Sequence, residues 1–177
     1  VDDLLLRPSV TIDYRRLEKF VAGKSIVVTG GGGSIGSEIC ERIVAFGAVR
    51  LLVIENSEPA LHAVLEQLAS REAAAEISGH IADIRDRSVI FDVFTRYRPD
   101  VVFHAAAHKH VPLLEDHPCE AVTTNIVGTR NVVDAAAAVD VERFVFISTD
   151  QAARPSRVMG PSKWQCARRG AAMSEGL

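Results

Sequence analysis

Apolar and polar positions along the chain follow two periods. Runs that are apolar throughout, 26–28, 51–54, 101–103 and 144–147, predict strands buried on both faces of a parallel sheet, and a further strand is predicted through 77–81. Between them apolar residues recur three and four positions apart: Ile35, Ile39, Ile43 and Phe46, then Leu61, Val64, Leu65 and Leu68, then Val89, Val93, Phe94 and Tyr97. That spacing sets each group on one face of a helix. A long alanine-rich helix is predicted over 119–139. Strand–helix alternation of this kind predicts an α/β fold, a doubly wound parallel sheet in three layers. Residues 1–23 read as a lead-in, with Pro8 in an extended stretch and a short amphipathic helix around Leu17, Phe20 and Val21, and residues 24–177 as the domain.

The first strand runs into Thr29-Gly30-Gly31-Gly32-Gly33-Ser34-Ile35-Gly36, a glycine-rich turn that opens a helix. Glycines let the backbone turn tightly and approach a pyrophosphate, whose charge meets free N–H groups at the helix N-terminus, here Ser34, Ile35 and Gly36. The spacing Gly30, Gly33, Gly36 is the dinucleotide-binding pattern with one extra residue in its first gap, and its strand–turn–helix context makes the fold Rossmann-type. The second strand ends at Glu55, about 20 residues on, where a carboxylate can accept ribose hydroxyls and repels a 2′-phosphate. NAD is therefore expected over NADP, with Asn56 beside the ribose, though a solvated strand-end glutamate is the alternative. Asp83-Ile84 follows the third strand, the usual place of an adenine contact. The fourth strand leads into Ala105-Ala106-Ala107, small enough for the backbone to pass close to a nicotinamide.

Composition narrows the partners. A net charge of −3 without a basic run argues against nucleic acid, and no apolar run approaches the roughly 20 residues of a membrane span. Cys40, Cys119 and Cys166 are too widely spaced for a disulfide framework or a metal box and suit a reducing cytoplasm, with Cys40 read as packing. His104, His108, His110 and His117 crowd one stretch, but one ends a strand and the rest follow in a loop, so no metal is expected.

The glycine turn, Asp100-Val101-Val102-Phe103-His104-Ala105-Ala106-Ala107, Lys109-His110-Val111-Pro112, Asn125 to Gly128-Thr129, Ser148-Thr149-Asp150 and Met159-Gly160-Pro161-Ser162-Lys163 together resemble one family. It is the CapD-like polysaccharide-biosynthesis group, the nucleotide-sugar 4,6-dehydratase branch of the extended short-chain dehydrogenases. The resemblance implies that NAD takes a hydride from C4 of a UDP-linked N-acetylhexosamine. Water is then lost across C5 and C6, and the hydride returns to C6. It also implies a cofactor role for Asn125 and Lys163, a place for Lys109 and His110 near the sugar nucleotide, and proton-transfer positions at Thr149, Asp150, 151 and 159. A solvated loop lysine is the plain alternative for Lys109, and a strand-end cap the alternative for Asp150. In longer members the segment resembling Asp3-Leu4-Leu5 and Arg7-Pro8 follows a membrane-spanning region, which would put that form on the cytoplasmic face.

Two positions depart from the family. Met159 stands where the family usually carries Tyr four residues before Lys163, as it does in some membrane-anchored members, and Gln151 replaces the lysine beside Asp150. Gln neither gains nor loses a proton near neutral pH. A catalytically degenerate cofactor-binding module and a sugar-nucleotide 4-epimerase or reductase, which needs no elimination pair, therefore stay as alternatives. The chain also stops at Leu177, soon after the fifth strand, and is expected to lack a substrate-covering region. A homo-oligomer is left open.

Overall fold

A computed structural model describes residues 14–70, 74–108 and 110–147. Five strands, β1 (Ser25–Thr29), β2 (Arg50–Glu55), β3 (Glu76–Ile81), β4 (Val101–His104) and β5 (Arg143–Phe146), form one parallel sheet in the order β3-β2-β1-β4-β5. The strands lie within one residue of those predicted.

Successive side chains on a strand point to opposite faces, and the sheet builds two cores from that rule. Ile26, Val28, Leu51, Val53 and Val101 face α2 (Ser34–Ala45) and α3 (Glu58–Ala69). Val27, Leu52, Ile54 and Val102 face α4 (Arg87–Tyr97) and the last helix, described below. Helix α1 (Tyr14–Val21), in the predicted lead-in, adds Val21 to the first core and sets Phe20 edge-on to Phe103. Helix α4 starts on an Asp86 cap that accepts hydrogen bonds from the N–H groups of Ser88 and Val89 and ends on Arg98 in the left-handed region. A carboxylate cap satisfies first-turn donors that the helix itself cannot.

The predicted helix over 119–139 is not uniform. After α5 (Val111–Asp116), it comprises a short turn α6 (Pro118–Glu120), a π-helical stretch Ala121–Gly128 and α7 (Thr129–Ala138). The wider π winding re-aims side chains within the stretch. Apolar periodicity gives no sign of it, because alanine and valine suit either winding. The predicted stripe on α2 also shifts: Gly36, Cys40, Ile43 and Val44 are buried, whereas Ile35 is 51% exposed.

The strand order places β1 between β2 and β4, so the chain winds outward on one side and then restarts on the other. A crevice opens at the carboxyl ends of the strands at such a reversal.

Candidate functional site

The crevice is framed by the turn after β1 and the loop after β4. The Gly30 N–H donates to Ile54 O at 2.8 Å, and Gly30 has φ +71°. A Cβ on it would lie 2.6 Å from the backbone N and Cα of Ala106, so the two loops touch backbone to backbone. A Cβ on Gly36 would overlap the Gly30 carbonyl, which fixes α2 against the turn. Gly33 differs: its Cβ would meet only Gly30 O at 3.4 Å, an ordinary contact, and the residue lines the cleft. The fold therefore does not require glycine at Gly33, whereas close approach by a ligand would. Helix α2 starts just after Gly33 with no side-chain cap. Its first-turn N–H groups, those of Ser34, Ile35 and Gly36, have no acceptor within the helix, and the helix dipole adds partial positive charge there.

The cleft measures about 280 Å³. Glu55 forms part of its wall at the end of β2, where Oε2 accepts from Gly32 N–H at 3.1 Å and Oε1 from the N–H groups of Asn56 and Ser57 at 3.0 and 3.2 Å. Three backbone donors thus hold a carboxylate that has about four acceptor positions. Its orientation is set, and room remains for one further strong donor. Asn56 lines the cleft beside it.

Asp83 and Arg85 line the cleft past the end of β3. The Arg85 guanidinium spans Asp83, with Nε 3.0 Å from Oδ1 and 2.9 Å from Oδ2 and Nη2 2.6 Å from Oδ2, while the Arg85 N–H donates to Oδ1 at 2.9 Å. The Arg85 side chain and these hydrogen bonds hold the Asp83 carboxyl below its ordinary range. Arg85 Nη1 reaches Glu120 Oε2 on α6 at 3.2 Å. Ile84 is buried against Gly128, and its carbonyl and that of Arg85 accept from Asn131 Nδ2 at 3.0 and 3.1 Å. Helix α7 therefore holds the backbone of the loop at Ile84 and Arg85.

Ala105, Ala106 and Ala107 line the opposite wall. Thr124, from the π-helical stretch, is 9% exposed and lines the cleft with a buried hydroxyl that has no hydrogen-bond partner among the described residues. A buried hydroxyl without a partner is costly and marks a place that a polar ligand atom can satisfy. The next residue, Asn125, pins the loop after β4: its Oδ1 accepts from His108 N–H at 2.9 Å and its Nδ2 donates to His108 O at 3.1 Å.

His104 is a core residue. Its Nδ1 lies 2.6 Å from Thr29 Oγ1 and its Nε2 2.9 Å from Thr129 Oγ1, and the ring stacks on Phe146. His108, His110 and His117 are exposed, with His110 preceding α5. Among the described residues no group of three or more His, Cys, Asp or Glu could hold a metal. Cys40 is fully buried, and burial pushes its thiol up to about 12. Lys109, Thr149, Asp150, Gln151, Met159 and Lys163 lie outside the described residues. Sequence reasoning missed Arg85, Thr124, His108 and Asn131. Thr124 alone carried a signal, as a polar residue beside Asn125 in an otherwise apolar helical stretch.

The profile of a family described as polysaccharide biosynthesis protein matches residues 26–175. The chain is 46% identical over 164 residues to the probable polysaccharide biosynthesis protein EpsC of Bacillus subtilis, covering 92% of this chain and 27% of that protein. It is 41% identical over 164 residues to the capsular polysaccharide biosynthesis protein CapD of Staphylococcus aureus, with the same coverage. Among solved structures, the UDP-glucose 4-epimerase of Thermotoga maritima with UDP-glucose superposes with a TM-score of 0.69 at 25% identity, over 81% of this chain and 49% of that one. The chain thus spans about a quarter of the length of the two curated relatives. No helix among the described residues is long and apolar enough to cross a membrane. With the match running over most of its length, the chain belongs to the polysaccharide biosynthesis protein family.

Proposed function

We propose that the chain forms the NAD-binding region of a nucleotide-sugar-modifying enzyme, of the dehydratase or epimerase class, in surface polysaccharide synthesis. The observation that carries this reading is the pairing of Glu55 with the glycine turn: the Gly32 N–H holds the carboxylate beside a cleft into which the Cβ position of Gly33 opens. The orphaned Thr124 hydroxyl supports the same fit.

In this reading the N–H groups of Ser34, Ile35 and Gly36 meet the pyrophosphate, and Glu55 accepts a ribose hydroxyl with Asn56 beside it. Asp83 and Ile84 take the adenine. The small Ala105–Ala107 wall admits the nicotinamide half, Asn125 holds the loop after β4, and the resemblance places Lys109 and His110 near the sugar nucleotide. Glu55 favours NAD over NADP, since a 2′-phosphate would face a fixed negative charge. When bound, the nicotinamide supplies reversible hydride acceptance at a sugar carbon. A UDP-sugar substrate accords with the UDP-glucose of the Thermotoga maritima epimerase and with the resemblance to dehydratases. The resemblance assigns proton transfer to Asp150, with Lys163 and Thr149 beside it, while Met159 and Gln151 can neither donate nor accept a proton. Gln151 supports a second reading, a cofactor-binding module without dehydratase turnover.

Isothermal calorimetry tests the reading. NAD should bind the native chain, and Gly33→Val, which meets no atom closer than an ordinary contact, should keep the melting temperature while weakening NAD at least 10-fold, or about 1.4 kcal/mol. Unchanged NAD affinity in that variant would remove the proposal.

A further inference from the structure

Two short helices at opposite ends of the strands carry exposed faces of opposite charge. Helix α1 lies in the layer of α2 and α3, with Val21 in their core and Tyr14 edge-on to Phe46, the residue that closes α2 at the amino-terminal side of the sheet. Only its last turn is covered. Tyr14 is 55% and Leu17 41% exposed, and the cations Arg15, Arg16 and Lys19 are exposed beside them. Arg15 and Lys19 stand one turn apart on the same side of the helix, and among the described residues neither is in an ion pair. Helix α5 follows β4, beyond the carboxyl ends of the strands. Its Leu114 is buried, whereas Pro112, Leu113 (60%), Glu115 and Asp116 are exposed. Leu113 and Asp116 are three residues apart, so an apolar and an acidic position are neighbours on that surface.

We propose that the basic face of α1 docks on the acidic face of α5 in a second copy of this chain, with Tyr14 and Leu17 set against Pro112 and Leu113. Charge complementarity selects this pairing. Two α1 faces brought together would oppose cation to cation, and two α5 faces carboxylate to carboxylate, so neither supports a two-fold dimer. The helices sit at opposite ends of the strands, so one chain does not satisfy both faces by itself. The contact is therefore head to tail, and association continues until a ring closes or a line extends. Two short helices bury less than about 1,200 Å² in total, the class of weak and transient interfaces. The dissociation constant should be on the order of 10–100 μM and should rise with salt.

Sedimentation velocity of the 177-residue chain, at concentrations spanning that constant, is the test. The native chain should associate beyond the dimer as concentration rises. Arg15→Glu with Lys19→Glu should weaken association at least 10-fold, and so should Leu113→Ser, each with the melting temperature held because all three positions are exposed. An equimolar mixture of these two variants should form a dimer and stop there, since one intact face of each kind remains between them. Adding Glu115→Lys and Asp116→Lys to the acidic α1 variant should restore association by exchanging the charges. A native chain that stays monomeric overturns the proposal, as does undiminished association in either variant. A mixture that stays monomeric also overturns it, because only a head-to-tail contact lets two damaged faces complement each other. Should the fourfold exchange fail to fold, the mixture decides.

Discussion

In the proposed reading, cofactor choice turns on single atoms around Glu55. Its carboxylate is not an exposed charge waiting for a ligand but one already oriented by Gly32, Asn56 and Ser57. Glu55→Ser should raise the NADP-to-NAD affinity ratio, because the repulsion of a 2′-phosphate goes with the carboxylate; tighter NADP than NAD binding by the native chain would show the assignment wrong. The cysteines offer a second check. Burial suppresses the Cys40 thiolate, while Cys119 is exposed. The thiolate is the reactive form, so at pH 8 a maleimide should label Cys119 readily and Cys40 only after denaturation, as peptide mapping would report. Glu55 was legible in the sequence from its distance to the glycine turn. Arg85 was not, since an arginine two residues past a strand-end aspartate looks like any solvated cation until the fold brings Glu120 to its far side.

At the scale of elements, β1, β4 and α7 are tied together by His104. Its two nitrogens meet hydroxyls on Thr29 and Thr129, from β1 and α7. His104→Leu fills similar space but leaves both hydroxyls buried without partners. It should destabilise the chain by about 2–6 kcal/mol, measured by urea denaturation, given roughly 1–3 kcal/mol for each unsatisfied group. A loss below about 0.5 kcal/mol, the range of an ordinary surface change, would mean that the hydroxyls find other partners. Most strand positions were readable because apolar runs of three or four have few alternatives between turn signals. The π-helical stretch was not. Within it Thr124 lines the cleft and Asn125 binds the His108 backbone, and apolar periodicity carries no record of that. The Ile35 position was misread because in the first turn of α2 it is Gly36 that is buried, and a leading isoleucine there continues the apolar spacing without sharing its burial.

For the whole molecule, strand order decides where chemistry can occur. Alternation of strands and helices predicted the sheet; that β1 lies at the reversal comes from the strand order. Turnover is a separate matter. The chain covers 49% of the length of the Thermotoga maritima epimerase. With NAD and UDP-N-acetylglucosamine it should show little dehydration, and Gln151→Lys in this chain should change that little. In a chain extended past Leu177, the same substitution should raise turnover by roughly 10²–10⁴-fold, the range of a positioned acid or base. Robust turnover by the unaltered 177-residue chain would contradict this expectation and direct attention to Asp150, Lys163 and Lys109.

The contact between Gly30 and Ala106 reaches beyond its own geometry. Two segments separated by more than seventy residues of sequence press backbone on backbone, with no side chain between them to absorb a misfit. Neither can be redesigned alone. A chimera that imports the loop after β4 from a distant relative, without the matching turn after β1, should lose the cleft while keeping the sheet; importing both together should restore it. The two loops form one exchangeable cassette, divided in sequence and single in space.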